Sequence, residues 1–338
     1  MFKSYDEFKQ HQNEQLKESV KEINLLLDNF KYEEALELID SLLPEFPDDF
    51  DLLFNKAYCL NDTGDPDSAL ELYNKALEII PDDIPALENK GVILLGKELF
   101  DEALVIFEIV LKSTPDNFNA LYGKGKILSE KGRYEEAITY LDKADKIDPK
   151  NGLPVIEKGI ALKNLKRYDE ALECFEFIIS KVPNHLDSLF YKGQILFHQN
   201  EFDEAFDVFS HILSIDPDDT ESMVFKANIL SGMGNLAESK RILEKALEID
   251  PKNPDALSSL GNIYLSQMEP DMALNLVNQA LELKEDDTDI IQKAKVFSFK
   301  QRFNEALELI NPVLERYPDN LIALLDKAFI LFFLNQYS

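Results

Sequence analysis

The sequence predicts an all-α array of about nine and a half antiparallel helix pairs, each pair 34 residues long, and three observations carry that prediction. A shift of 34 residues superposes Pro47, Pro81, Pro115, Pro149, Pro183, Pro217 and Pro251 without a gap. A small residue recurs in step at Ala35, Ala69, Ala103, Ala137, Ala171, Ala205, Ser239, Ala273 and Ala306. A second small column stands twelve residues ahead of the first, at Ala57, Gly91, Gly125, Gly159, Gly193, Ala227, Gly261 and Ala294, and it continues to Ala328. Self-similarity at a fixed period of this length marks stacked modules rather than one central core.

The elements follow in chain order. Residues 1–15 read as an amino-terminal helical extension that caps the stack, with Ser4 and Glu7 spaced as a capping box. Repeats are expected at 16–49, 50–83, 84–117, 118–151, 152–185, 186–219, 220–253, 254–286 and 287–320, with a partial repeat at 321–338. Each boundary proline is followed by acidic or amide residues, as in Asp48-Asp49, Asp82-Asp83, Asp116-Asn117 and Asp218-Asp219, a composition that ends one helix and caps the next. The two small columns let the helices of a pair approach closely. That contact explains glycine inside a helix despite a cost of about 1 kcal/mol against alanine. Larger apolar residues flank the contact at helical spacing, such as Leu87, Leu94, Phe107 and Val110, then Leu121, Leu128, Leu141 and Ala144. These read as core. Second helices open on an aromatic and two acids, as in Tyr32-Glu33-Glu34-Ala35, Phe100-Asp101-Glu102-Ala103, Tyr134-Glu135-Glu136-Ala137 and Tyr168-Asp169-Glu170-Ala171, where carboxylates complement the helix dipole.

The irregularities are local. Ser19 and Ile23 make the first repeat degenerate, Glu285 stands where a boundary proline is expected, and the eighth repeat is one residue short. The stretch 321–335 forms a first helix, and Tyr337-Ser338 then begins a second that does not follow. Terminal repeats normally show a polar outer face, but LIALLDKAFILFFL is apolar. A fragment of a longer protein, or a helix that buries itself in a partner or a second copy, is the expectation.

Sixty-four acidic residues against 35 basic ones give a net charge of −29, which repels phosphate backbones and anionic membrane surfaces. Nucleic acid and membrane are therefore not expected partners. The apolar runs 103–111 and 328–334 fall short of the roughly 20 residues that cross a bilayer. Lys3, Asp6, Glu7 and Lys9 interrupt the start where a secretion signal needs an apolar run, so a cytoplasmic protein is expected. Cys59 and Cys174 lie more than three repeats apart and read as small buried apolar residues. His11, His185, His198 and His211 share no ligand spacing, and no phosphate-cradling loop, CxxC pair, HExxH helix or GxSxG elbow occurs. No catalytic, cofactor or metal site is expected, and the protein reads as non-catalytic.

The 34-residue period with its ordered glycine, tyrosine, alanine, phenylalanine and proline columns resembles the tetratricopeptide repeat over residues 16–338. Leu, Ile or Met stands in place of the family's tryptophan. The resemblance implies a right-handed superhelical solenoid whose first helices line a concave groove that binds a partner peptide or helix. Carried over repeat by repeat, the groove shows Phe54, Asn55 and Tyr58, then Glu88 and Asn89, Tyr122 and Lys126, and Ile156 and Ile160. Further along come Phe190, Tyr191, Gln194, Phe197 and His198, then Val224, Phe225 and Asn228, then Ser258, Ser259 and Asn262.

The stretch from Phe190 to Phe225 is the most aromatic. Its rings either cover neighbouring helices or form an apolar pocket of Phe190, Tyr191, Phe197 and Phe225 for a partner segment, since aromatic anchors dominate interface energetics. Asn55 and Asn89 match the asparagine with which related domains hold a peptide backbone, but Gly123, Glu157, Tyr191, Phe225 and Ser259 replace it later. The clamp that some relatives use for a chaperone's carboxylate tail is missing, because Val224 and Ser258 precede Asn228 and Asn262 where it needs lysine. Arg133, Arg167, Arg241, Arg302 and Arg316 fall in turns or second helices.

A lysine column precedes the small one at Lys56, Lys90, Lys124, Lys158, Lys192, Lys226, Lys293 and Lys327, with Leu260 as its gap. It is either a track for an acidic tail or a packing device whose stems lie between helices while the ammonium groups reach carboxylates. The leading functional expectation is an adaptor scaffold for protein partners. The alternatives are a docking arm of an enzyme that continues past Ser338 and a structural protein that self-associates through 321–335.

Overall fold

The computed structural model describes the backbone of residues 5–337 and the side chains of residues 14–334, and among them every regular element is a helix. Helices α1 to α9 are Tyr5–Asp28, Tyr32–Leu42, Phe50–Asp62, Pro66–Ile79, Ile84–Gly96, Phe100–Ser113, Phe118–Glu130, Tyr134–Ile147 and Leu153–Asn164. Helices α10 to α19 are Tyr168–Lys181, Leu186–His198, Phe202–Ile215, Thr220–Gly232, Leu236–Ile249, Pro254–Ser266, Pro270–Leu283, Asp287–Phe299, Phe303–Arg316 and Leu321–Tyr337. Odd helices are the first of each pair and even helices the second. The chain divides into two units, Met1–Cys174 and Phe175–Ser338.

Each pair is set by its boundary residues. A proline has no N–H to donate, so it stops a helix, and the residue two places later caps the next one. Asp49, Asp83, Asn117 and Asn253 accept the backbone N–H three residues on at 3.0, 2.8, 2.9 and 2.9 Å. His185 takes the same role through Nδ1, at 3.2 Å from the Ser188 N–H. At the short eighth repeat Asp286 caps α17 instead, accepting from Thr288 at 2.7 Å.

The turn inside each pair is equally regular. Phe30, Gly64, Glu98, Gly132, Lys166, Asn200, Gly234, Met268 and Gln301 all adopt left-handed backbone, with φ between 58° and 92°. The following N–H then reaches back across the turn, as from Arg133 to the Leu128 carbonyl at 2.8 Å, which closes the first helix.

Packing follows the small columns. Ala35, Ala69, Ala103 and Ala137 in unit 1, and Ala205, Ser239, Ala273 and Ala306 in unit 2, are fully buried. Ser239 satisfies its hydroxyl by donating to the Ala227 carbonyl at 2.6 Å. Phe107 fills the space that two glycines leave open: a Cβ on Gly91 would stand 2.6 Å from its ring, and one on Gly123 would overlap it. Burying such a ring contributes roughly 1.5–3 kcal/mol. Core residues group into a succession of clusters, each drawn from neighbouring helices, such as Leu94, Phe107 and Ile127 in unit 1 or Leu196, Phe209 and Ile229 in unit 2.

First helices also touch one another, in the pairs α1 with α3, α3 with α5, α5 with α7 and α7 with α9 in unit 1. In unit 2 the same contact joins α11, α13, α15, α17 and α19 in turn. No such contact joins the second helices α2 to α8, or α12 to α18. In each unit the first helices therefore form the tighter, inner row, as the family resemblance implies.

The extension expected at 1–15 and the first helix of the first repeat run together as α1. The capping box expected at Ser4 and Glu7 lies outside the described residues. At the other end Tyr337 closes α19 rather than starting a further helix. Ala323 and Ile330 of α19 are buried, whereas Leu321, Leu325 and Phe332 are 67, 61 and 59% exposed.

Candidate functional site

The inner row presents different chemistry in the two units. In unit 1 the sequence-predicted groove residues are largely engaged with neighbouring side chains. Phe54 stacks on Phe50 with ring centroids 5.9 Å apart and meets the buried Tyr73 edge-on at 5.6 Å. Asn55 is buried and donates its amide to Asn24 of α1 at 3.1 Å, while the Tyr58 ring lies 6.3 Å from Tyr32. Glu88 accepts from the side-chain amides of Asn117 and Asn119, and Asn89 beside it is half-buried. Lys126 pairs with Glu157 at 3.1 Å, and the Tyr122 hydroxyl points to the same carboxylate at 3.5 Å. Burial, and then that carboxylate, push the Tyr122 phenol well above its usual range. Ile156 is half-buried.

In unit 2 a cavity of about 490 Å³ opens on the inner row. It takes in nine of the predicted residues: Phe190, Gln194 and Phe197 of α11, Val224, Phe225 and Asn228 of α13, and Ser258, Ser259 and Asn262 of α15. Its apolar wall is a ring cluster. Phe225 stacks on the buried Phe209 at 4.9 Å with 7° between planes, and Phe190 and Phe197 meet Phe225 edge-on at 5.7 and 5.4 Å. These geometries, face-to-face offset and edge-on, are the favoured ones for aromatic pairs. Tyr191 lies outside the cavity lining and stacks on Phe175 at 5.3 Å.

The remaining wall is polar and carries four carboxylates among amide and hydroxyl side chains. Glu221, Asp255, Asp286 and Asp289 line it from the starts of α13, α15 and α17. Asp286 has Lys284 at 3.9 Å, whereas Glu221, Asp255 and Asp289 have no Lys or Arg ion-pair partner among the described residues. Burial raises the Asp289 carboxyl above its ordinary value and the nearby Asp286 and Asp255 add to that, against a hydrogen bond donated by Ser258 and the charge of Lys284. Glu221 is raised by burial and by Asp219 and Asp255. These carboxylates were not singled out by the sequence reading, because first-turn acids are accounted for by capping and the helix dipole. A signal was present: Asp187, Glu221 and Asp255 recur at the 34-residue period, where unit 1 has Asp51, Pro85, Asn119 and Leu153.

The lysine column is tied into the stack. Lys56, Lys124 and Lys158 in unit 1 donate to Asp40, Glu108 and Asp142 at 2.6, 2.8 and 2.6 Å, and Lys192 in unit 2 to Glu176 at 2.7 Å. Each acceptor lies 16 residues earlier, on the second helix of the preceding repeat. Where that place holds Ser210, Lys226 lies over the Phe206 ring at 4.8 Å instead.

Cys59 and Cys174 are buried, and burial pushes both thiols up to about 11. His211 engages Asn184 at 3.2 Å, His185 caps α11, and the His11 side chain lies outside the described residues. Among the described residues no cluster of His, Cys, Asp and Glu could hold a metal ion, and no helix is long and apolar enough to cross a membrane.

Comparison with known proteins agrees with this architecture. No curated protein matches the chain. Solved structures that share the fold include a tetratricopeptide repeat protein from Parabacteroides merdae, 21% identical over 77% of this chain and 98% of that one, with a TM-score of 0.58. Another is the APC/C hetero-tetramer Cut9-Hcn1, 17% identical over 88% of this chain and 59% of that one, TM-score 0.61. Pseudomonas aeruginosa pilF is 16% identical over 62% and 96%, TM-score 0.52. At these identities the likeness is one of fold. One tetratricopeptide repeat family model matches residues 20–84, 89–152 and 156–220, and a second matches 230–295. With more than half its length matched and the repeat columns buried as that architecture requires, the chain belongs to the tetratricopeptide repeat family.

Proposed function

We propose that the protein is a non-catalytic adaptor that holds a segment of a partner protein against the inner row of unit 2. Family membership makes protein interaction its general role. The observation that carries the finer reading is the cavity whose wall is the Phe190, Phe197 and Phe225 cluster, because aromatic anchors in a preformed pocket supply most of the free energy of such interfaces. A net charge of −29 disfavours nucleic acid as the occupant. The test is selection of binders from a displayed peptide library, repeated with Asn228→Trp and Asn262→Arg, which crowd the cavity from half-buried and exposed positions. Binders lost on both substitutions support the site; binders retained on both rule it out.

A second reading has its own observation. Leu321, Ile322, Leu325, Phe329 and Phe332 leave one face of α19 more than half exposed, beside a cavity of about 440 Å³ bordered by Phe299, Phe303, Phe329 and Phe333. Such a face supports self-association or a further covering helix. Sedimentation across a concentration series, with Leu325→Glu and Phe332→Glu as the comparison, decides whether copies associate through it.

A further inference from the structure

We infer that the unit 2 cavity selects a partner segment in which a lysine or arginine stands next to an aromatic or other large apolar side chain. This inference rests on the reading of that cavity as the binding face and names the chemistry of its occupant.

The cavity is two-sided. Phe190, Phe197 and Phe225 form one wall, already packed edge-on and face-on against each other, so an entering apolar side chain meets a rigid surface. Glu221, Asp255, Asp286 and Asp289 line the other, where the one basic side chain is Lys284, paired with Asp286 at 3.9 Å and felt by Asp289 as well, so that four carboxylates share one cation among the described residues. The helix dipole explains why acids stand in first turns. It does not explain why these face a cavity, since a first-turn acid is equally well placed facing solvent, as Asp203 and Asp271 do.

Asp289 is 6% exposed, and its Oδ1 is held by Ser258. A carboxylate largely shielded from water beside like charges favours a cation from outside more strongly than an open surface carboxylate does, because less water must be displaced to pair it. Unit 1 offers the contrast, since its own Lys126 already neutralises Glu157. The volume, about 490 Å³, lies within the ~300–1,000 Å³ of specific ligand pockets. An acidic tail is excluded from it by the same charges.

The experiment uses the full chain and a fluorescein-labelled peptide in which Arg-Phe and Lys-Leu pairs alternate with Gly-Ser spacers, read by anisotropy. Three comparison peptides replace the basic residues by Glu, the apolar residues by Ser, or both. The basic-apolar peptide is expected to bind, and each comparison peptide to bind at least about tenfold more weakly. The triple variant Glu221→Gln, Asp255→Asn, Asp289→Asn is expected to lose about tenfold or more while keeping its helical circular dichroism and a melting temperature no lower than that of the parent. Neutralising three exposed acids elsewhere, Asp67, Asp101 and Asp203, is expected to change affinity less than twofold. Equal losses in the two triple variants would overturn the inference, as attraction would then come from the overall charge; so would undiminished binding by the cavity variant or tight binding of the Glu peptide. Asn228→Trp separates the two levels: if it abolishes binding that the triple variant leaves intact, the cavity is the site and the charge selection fails, whereas binding that survives Asn228→Trp overturns the cavity reading itself.

Discussion

The inner rows of the two units are built on one repeat, yet α7 and α9 of unit 1 are filled differently from α11 and α13 of unit 2. In unit 1 the position two residues before the small column holds Asn55, Asn89, Gly123 and Glu157, and two of these meet a neighbouring first helix, Asn55 donating to Asn24 of α1 and Glu157 accepting from Lys126 and Tyr122 of α7. In unit 2 the same position holds Tyr191 and Phe225, which turn back onto the second-helix rings Phe175 and Phe209, and then Ser259 and Gln292, of which Gln292 donates to the Ser258 carbonyl of α15 at 2.9 Å. Polar side chains that pair with each other fill the space between first helices at α7 and α9, whereas the rings that lean backwards at α11 and α13 leave the space in front of them open as the aromatic wall of the unit 2 cavity.

The largest effect that tests this contrast concerns the rings. Phe107 is fully buried between Gly91 and Gly123, so Phe107→Ala is expected to cost about 3–5 kcal/mol in urea unfolding, as large-to-small changes in sealed cores do. Phe225 is half-buried beside the cavity, and Phe225→Ala is expected to cost about 1–3 kcal/mol because water can enter the space it leaves. If the two cost the same, the ring in unit 2 is core and the difference between the inner rows has been overstated.

The next effect bears on what the units share. The turn residue of every pair is left-handed, whether glycine, as at Gly132 and Gly234, or not, as at Glu98 and Met268. Left-handed backbone costs a residue with a Cβ about 1 kcal/mol. Glu98→Gly in unit 1 and Met268→Gly in unit 2 are each expected to raise stability by roughly 1 kcal/mol, and Gly132→Ala and Gly234→Ala to lower it by the same amount, in thermal melts. Unequal responses in the two units would place part of their difference in the turns.

The period made the fold legible, because proline and small residues have no other reason to recur in register. The turn column was not legible: Phe30, Glu98, Lys166, Asn200, Met268 and Gln301 share no side-chain property that announces left-handed backbone, and only the closed hydrogen bond across the turn enforces it. His185 as a cap was hidden for a similar reason, since imidazole seldom takes that place. Of the candidate site, the aromatic wall could be read from large rings beside the small column. The acidic wall could not, because the sequence does not say which first-turn acids face a neighbouring helix, and capping alone is a sufficient account of each.

The acidic wall also has a pH signature with a definite sign. Asp289 is held above its ordinary value, so on raising the pH the unfolded chain releases that proton first and the folded state is penalised. Asp289→Asn is therefore expected to raise the melting temperature at neutral pH, with the gain fading as the pH falls through about 4, where the carboxyl is protonated in both states. In unit 1 Glu136 behaves oppositely: the Arg133 guanidinium holds it below its usual value, and the stability it lends is present at neutral pH and lost on acidification. An Asp289→Asn melt that is lower at neutral pH would show the carboxylate to be structural, and the wall would lose its claim to be a binding surface.

The smallest effect concerns the lysine column, where the two units agree. Lys158 spans from its own first helix to Asp142 on the preceding second helix, and Lys192 does the same with Glu176, yet the acceptors are 42 and 56% exposed. Ion pairs at that exposure contribute little, because solvent screens them and two long side chains lose freedom. Their alkyl stems remain useful as packing. Replacing the lysine by methionine keeps the stem and removes the charge, so Lys158→Met and Lys192→Met are each expected to shift stability by about 0.5 kcal/mol in either direction. Binding of the basic-apolar peptide is expected to stay within twofold for both. A column that guided an acidic ligand would instead lose affinity on this change with stability hardly altered, and the two outcomes part on a single pair of measurements, the melt and the anisotropy titration.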